Sequence, residues 1–163
     1  MKMKQELKKA KLRIYIDTSV VGGYFEEEFE VATKALFKRL ENKEVIFVIS
    51  EALEQELKNA PPYVRELINN LDEDSIELIK LTDEADILAN AYISEGVISS
   101  KYLEDCQHIA LATINKVDIL ASWNFKHIVN INRIRGYNSV NLRNSYPFIE
   151  IRNPKELLDY GND

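Results

Sequence analysis

The sequence predicts an α/β chain, a three-layer α/β/α sandwich around a central parallel sheet. Three observations lead there. Short runs at Leu12–Ile16, Glu44–Ile49 and Val117–Ser122 are rich in aliphatic residues, and the second is apolar on both faces, as a strand covered by helices requires. Segments with helical apolar spacing separate these runs. Strands alternating with helices imply parallel pairing through right-handed crossovers. The 163 residues predict a single domain over 1–163, large enough to bury a core without staples. Its margins are a basic N-terminal extension over 1–11 and a C-terminal strand and helix over 146–163.

Taken in order, Leu12–Ile16 forms the first strand and stops on Asp17-Thr18-Ser19. In an open α/β sheet, ligands bind in the crevice at the carboxyl ends of the strands. Asp17 is therefore either a cap for the segment after it or a site residue. Gly22-Gly23 predicts a loop, and Glu26–Glu28 leads into a helix near Phe29–Leu40 that ends at Asn42. Glu44–Ile49 is the second strand, after which Ser50 caps a helix. Pro61-Pro62 break that helix and start another, with Val64, Leu67, Ile68 and Leu71 on its apolar face. Ser75–Leu81 reads as a short strand near a sheet edge. Thr82 caps the next helix, which closes on Gly96. A further helix is expected over Asp105–Lys116, then the third core strand, then a helix over Phe125–Ile134 ending before Gly136. Tyr146–Ile151 is a last strand, and Asn153-Pro154 opens a terminal helix.

Composition narrows the chemistry. No apolar run is long enough to span a bilayer, so no membrane partner is expected. The lysine-rich start lacks the apolar segment of a secretory signal. One cysteine and two histidines argue against a disulfide framework and against a Cys/His zinc site. A reducing, cytoplasmic setting is expected, and any metal would be a hard cation held by carboxylates. The net charge is −6, yet no acid occurs between Asp118 and Glu150, where Lys126, Arg133, Arg135 and Arg143 fall. Such a chain can hold cations at one place and touch phosphates at another.

The groups that come after the core strands lie on one side of a parallel sheet, so they converge. These are Asp17, then Ser50 with Glu51, Glu54 and Glu56 on its helix, and Ser122-Trp123-Asn124. Glu51 complements a helix dipole, and Glu54 stands four residues before Lys58 on a solvated face. Glu56, at the border of the buried stripe, is the best placed of the three to look into a cleft. Asp105 opens a helix that is apolar nearly all round, so it is either a plain cap or an acid held ionised by the helix dipole. His108 reads as a packed histidine behind the site. Asp118, at the start of its strand, reads as structural.

These residues resemble a known family. Ile-Asp-Thr-Ser after a strand, the acid-bearing helix after Ile-Ser, Asp105 with His108-Ile-Ala-Leu-Ala-Thr, and Ser-Trp-Asn-Phe-Lys-His are similar to the PIN domains, more narrowly the VapC-like toxin ribonucleases. The resemblance runs from Leu12 to Leu142. It implies a PIN-like sandwich and a divalent-metal-dependent endoribonuclease, the toxin of a type II toxin–antitoxin pair. The site would be Asp17, Glu56, Asp105 and Asn124, holding Mg²⁺ or Mn²⁺, with Thr18, Ser19 and Ser122 as supporting hydroxyls. Lys126, His127, Arg133, Arg135 and Arg143 would be the phosphate or RNA contacts. Implied partners are an RNA substrate, a protein antitoxin (with Pro61–Leu71 as a wall of its groove) and a second copy in a homodimer. Asn124 departs from the family, which commonly has Asp there. That loss of a charge keeps open an alternative, a catalytically weakened RNA- or protein-binding module. An Asp17 phosphoryl-transfer nucleophile is disfavoured because Ser19 stands where such enzymes carry a second acid. A serine hydrolase is disfavoured by the lack of a Gly-x-Ser-x-Gly elbow.

Overall fold

The computed structural model describes residues 10–158, so the expectations for 1–9 in the basic extension and for 159–163 of the terminal helix lie outside the described residues. Five parallel strands form one sheet: β1 (Leu12–Ile16), β2 (Val45–Ser50), β3 (Ile76–Ile79), β4 (Ile119–Ala121) and β5 (Ile151–Arg152), in the order β3-β2-β1-β4-β5. β1 is central, pairing Ile14 with Phe47 on one side and with Ile119 on the other. Strand order reverses direction between β1 and β4, and the crevice of such a sheet opens at that switch.

Strand alternation divides the core. Ile14 and Ile16 of β1 pack beneath α1 (Thr18–Gly23), α2 (Glu30–Glu41), α3 (Glu51–Leu57) and α4 (Pro62–Asn69). Tyr15 and Val48 face α5 (Asp83–Ser94), α6 (Leu103–Ile114) and α7 (Ile131–Arg143) on the opposite side. The result is the three-layer sandwich expected. The caps at Ser50, Thr82 and Asn153 also form, each side chain accepting a backbone N–H from the helix that it starts. Gly96 closes α5 at φ +78, where a side chain would be strained. Asp118 accepts the backbone N–H of Arg13 at 2.8 Å, at the far end of β4 from Ser122.

Four boundaries differ from the sequence reading. Gly22-Gly23 is not a loop but the last turn of α1. A Cβ on Gly23 would lie 2.8 Å from the Trp123 ring, so that glycine serves close packing rather than a bend. The helix predicted over Phe125–Ile134 does not form. Residues 125–128 make turns, and Asn130 starts α7, which runs on through Gly136. Asn130 is the stronger start signal because its side chain satisfies both the Asn132 and Arg133 N–H groups. Gly136 is tolerated inside the helix because Val97 occupies the space a Cβ would need. The last strand is only Ile151–Arg152, and it is followed by a four-residue 3-10 turn at Pro154–Leu157. Its approach is pinned by Asn138, which accepts from Ile149 N at 2.8 Å and donates to Ile149 O at 3.1 Å.

Candidate active site

Asp17 is 3% exposed, and both its oxygens are occupied. Oδ1 accepts from Ser19 Oγ at 2.6 Å and from Val20 N at 3.2 Å, while Oδ2 accepts from Ser122 Oγ at 2.5 Å. Its acceptance of Val20 N makes it the helix cap, the first of the two readings its sequence left open, and its carboxyl is buried as well. The same hydroxyls tie β1 to β4, since Ser19 accepts from Trp123 N at 2.8 Å and Ser122 accepts from Asn124 N at 3.0 Å. Burial pushes the Asp17 carboxyl above its ordinary range, against the opposing pull of His108 and the two serines.

Glu56 reaches the same region from α3. Its Oε1 lies 2.6 Å from His108 Nε2, and its Oε2 accepts from Thr18 Oγ1. His108 is buried, and its Nδ1 lies 2.6 Å from Tyr15 OH, which in turn is 2.7 Å from Ser50 Oγ. Burial opposes charge on both partners of the Glu56–His108 pair. Their mutual hydrogen bond and attraction win, lowering Glu56 and raising His108. With both His108 nitrogens protonated, Nδ1–H donates to Tyr15, and Tyr15 donates its own proton to Ser50 Oγ. The neighbouring acids stand elsewhere: Glu51 accepts from Leu81 N at 2.9 Å, and Glu54 is exposed.

Asp105 lies in the first turn of α6 rather than at its cap, because α6 begins at Leu103. It accepts no hydrogen bond among the described residues. Burial raises its carboxyl to about 6, and repulsion from Asp17 and Glu56 adds to the effect while His108 opposes it. Asp17, Glu56 and Asp105 therefore share one electrostatic neighbourhood. Beside Glu56 opens a cleft of about 350 Å³ whose wall includes Thr18, Gln55, Asn59, Glu104 and Gln107.

The fourth sequence-predicted member is differently employed. Asn124 Oδ1 accepts the backbone N–H of His127 at 3.0 Å and shapes the turn there. Of the phosphate candidates, His127 is 8% exposed with its ring 3.7 Å from that of Tyr102, so it is packed against that ring. Arg143 pairs with Glu95 at 3.1 Å in the last turn of α7, and Arg135 is on an exposed face of that helix. Lys126 and Arg133 line a second cleft, between α5 and α7. Trp123 is packed rather than free to stack a base: it lies on Phe29 at 4.4 Å and donates to Thr33 Oγ1 at 2.9 Å. The suggested antitoxin wall also changes. Val64 is buried and Leu67 packs on the core, whereas Tyr63 is 55% exposed and stacks edge-on against Phe25 at 4.9 Å.

Sequence reasoning did not find the Tyr15–Ser50 extension of the His108 pair. The available signal was a phenol between two isoleucines of β1, since a buried hydroxyl needs a partner.

No family model and no curated protein matches the chain. Solved structures do. The VapBC2 complex of Rickettsia felis bound to a promoter DNA fragment superposes with a TM-score of 0.55 at 12% identity, over 87% of this chain and 98% of that one. The fold is that of the PIN-like VapC toxins. A DNA-bound VapBC from Salmonella typhimurium gives 0.54 at 14% identity, over 88% and 98% of the two chains. VapC20 of Mycobacterium tuberculosis, described as a toxin that cleaves the sarcin–ricin loop, gives 0.52 at 11% identity, over 69% and 91%. At such identities it is the PIN-like fold that is shared.

The donor chemistry decides whether a divalent cation suits this site. Among the described residues no three His, Cys, Asp or Glu groups are arranged to cage an ion. Mg²⁺ rarely uses such a cage; it takes one or two carboxylates and keeps several waters. Asp105, with unengaged oxygens and repelled by Asp17 and Glu56, fits that mode. Asp17 would join it by giving up part of its hydrogen bonding to the serines.

Proposed function

We propose that this chain is a divalent-metal-dependent endoribonuclease and the toxin of a type II pair. The observation that carries the reading is the grouping of Asp17, Glu56 and Asp105 at the switch of a PIN-like sheet, with two of the carboxyls raised. An Mg²⁺ or Mn²⁺ ion bound there would lower the pKa of a water and neutralise phosphate oxygens. Asp105 and Asp17 are its proposed holders, with Glu56 acting through water. The chain's own contribution is placement. Ser19 and Ser122 fix the Asp17 carboxylate, and Thr18 with His108 fixes that of Glu56. The RNA substrate is supported by the neighbour described as cleaving the sarcin–ricin loop, and a protein antitoxin by the VapBC neighbours.

A second reading, a weakened RNA- or protein-binding module, is favoured by one observation. Asn124 brings no charge and already spends its Oδ1 on His127. Incubating a labelled single-stranded RNA with the full chain, with Mn²⁺ or with chelator, separates the two. The nuclease reading expects cutting that needs Mn²⁺ and is lost in Asp17→Ala and Asp105→Ala. Binding without cutting under every condition supports the module instead.

A further inference from the structure

The hydrogen bonds on Glu56 do not end at its immediate partners. Oε1 lies 2.6 Å from His108 Nε2, His108 Nδ1 lies 2.6 Å from Tyr15 OH, and Tyr15 OH lies 2.7 Å from Ser50 Oγ. Ser50 Oγ also accepts the Leu53 N–H at 3.2 Å and so caps α3, the helix that carries Glu56. The contacts therefore close into a ring. They leave α3 at the Glu56 carboxylate, cross α6 and β1, and return to α3 at its cap. Tyr15, Ser50 and His108 are buried, whereas Glu56 is partly exposed in the wall of the cleft.

Each link restricts the next. An imidazole bonded through one nitrogen can turn over and still keep that bond. With Nδ1 against Tyr15 and Nε2 against Glu56, only one orientation of the His108 ring makes both contacts. A glutamate side chain has several rotatable bonds, so an unheld carboxylate at the rim of a cleft samples many positions. Here His108 sets Oε1 and Thr18 sets Oε2. Nothing in the core itself calls for a hydroxyl at position 15. Tyr15 stands between Ile14 and Ile16, and across the sheet it is flanked by Val48 and Leu120. A buried hydroxyl is costly without a partner, and both partners of this one, His108 and Ser50, lead to α3 and Glu56.

We propose that Tyr15 is a positioning residue: acting through His108, it fixes the Glu56 carboxylate at the acidic site. That the fixed carboxylate serves RNA cleavage rests on the ribonuclease reading. Tyr15 touches neither substrate nor cation, and it acts two hydrogen bonds away. A group that must meet a reacting atom needs one placement, held by side chains that are themselves locked. Tyr15 takes that placement from the most rigid part of the fold, because β1 is paired on both sides.

The test compares Tyr15→Phe with Tyr92→Phe. Both remove one buried phenol hydroxyl from the same side of the sheet, but Tyr92 is bonded to Asn141 rather than to the His108 chain. Melting curves confirm that both variants fold. The first readout is the His108 ring N–H facing Glu56, followed by NMR of the full chain in EDTA, where only two histidines need assignment. Its exchange with water should be about tenfold faster in Tyr15→Phe and unchanged in Tyr92→Phe. The second readout is the single-turnover rate of RNA cleavage with Mn²⁺, alongside RNA affinity in EDTA. A rate loss of about threefold to tenfold at unchanged affinity is expected in Tyr15→Phe alone. An unchanged His108 signal in Tyr15→Phe, or equal changes in the two variants, overturns the proposal. So does an unchanged cleavage rate in Tyr15→Phe when wild type cuts. The EDTA readout keeps the two questions apart. A changed His108 signal in a chain that never cuts RNA keeps the positioning and rejects the nuclease, and cutting with an unchanged signal does the reverse.

Discussion

Replacing Asp105 by Asn should stabilise the protein at neutral pH, and the gain should vanish in acid. Asp105 is a half-buried carboxyl whose ordinary value of 3.8 is raised to about 6 by burial and by Asp17 and Glu56. Between those two values the folded chain binds more protons than the unfolded one, so stability falls as pH rises through that window. Above it the loss is complete. The full gap corresponds to about 3 kcal/mol at about 1.4 kcal/mol per pH unit. Because Asp105 is partly exposed, solvent screening reduces the expected effect to about 1–2 kcal/mol. Urea denaturation of wild type and Asp105→Asn in chelator, at about pH 7.5 and about pH 3, reads the difference directly. The variant should be more stable at the higher pH and equal to wild type at the lower. Added Mg²⁺ should then close or reverse the gap, because only the wild type retains the Asp105 carboxylate and gains about 2.7 kcal/mol at a hundredfold excess over its dissociation constant. A variant that is less stable at neutral pH, or a gain that does not change with pH, would refute the idea that burial and the neighbouring carboxyls penalise the charge on Asp105.

Other consequences come from the same geometry. His108→Ala leaves Glu56 and Tyr15 without their shared partner, and a loss of about 2–4 kcal/mol is expected in thermal or urea melts. His108 is raised, so its contribution is whole below 6.5 and is lost as pH rises through the folded value. Glu56 is lowered from 4.5, so its contribution is whole above that and is lost in acid. The His108→Ala deficit should therefore be largest between those two ordinary values. Gly23→Ala places a methyl 2.8 Å from the Trp123 ring and should cost about 1–3 kcal/mol, with a shift in tryptophan fluorescence. Asn138→Ala unties both backbone groups of Ile149 and should cost about 2 kcal/mol, with faster amide exchange at the β5 edge.

The sheet was legible because its strands are covered on both faces. Val45–Ile49 has no polar residue to hide, and only parallel pairing between helix layers accommodates such a run. The strand ends were legible for a local reason: Asp17, Ser50 and Ser122 each come directly after an apolar run, and parallel strands place those ends together. Glu56 could be separated from Glu51 by the latter's first-turn position, and from Glu54 by the spacing of Glu54 to Lys58 and by the edge of the buried stripe. The features that escaped reading depend on contacts between distant parts of the chain. Gly22-Gly23 reads as a loop until Trp123, a hundred positions on, fills the space above Gly23. Gly136 reads as a stop until Val97 explains it, and Asn130, a cap with two acceptor contacts, then resets the start of α7. The Glu56–His108–Tyr15–Ser50 chain joins α3, α6 and two strands, so no local window contains it. Asn124 was expected as a ligand by analogy of position; its amide oxygen is in fact used locally, three residues along the chain.

The most direct test of the central claim is the single-turnover rate of RNA cleavage with enzyme in excess and Mn²⁺ present, comparing wild type with Asp105→Asn. Excess enzyme removes differences in binding, so only the chemical step is read. Mn²⁺-dependent cutting by wild type is predicted, with a loss of about a hundredfold or more in the variant and RNA affinity in EDTA no weaker than that of wild type. Equal rates in the two proteins, or wild-type cutting that persists in chelator, would contradict it.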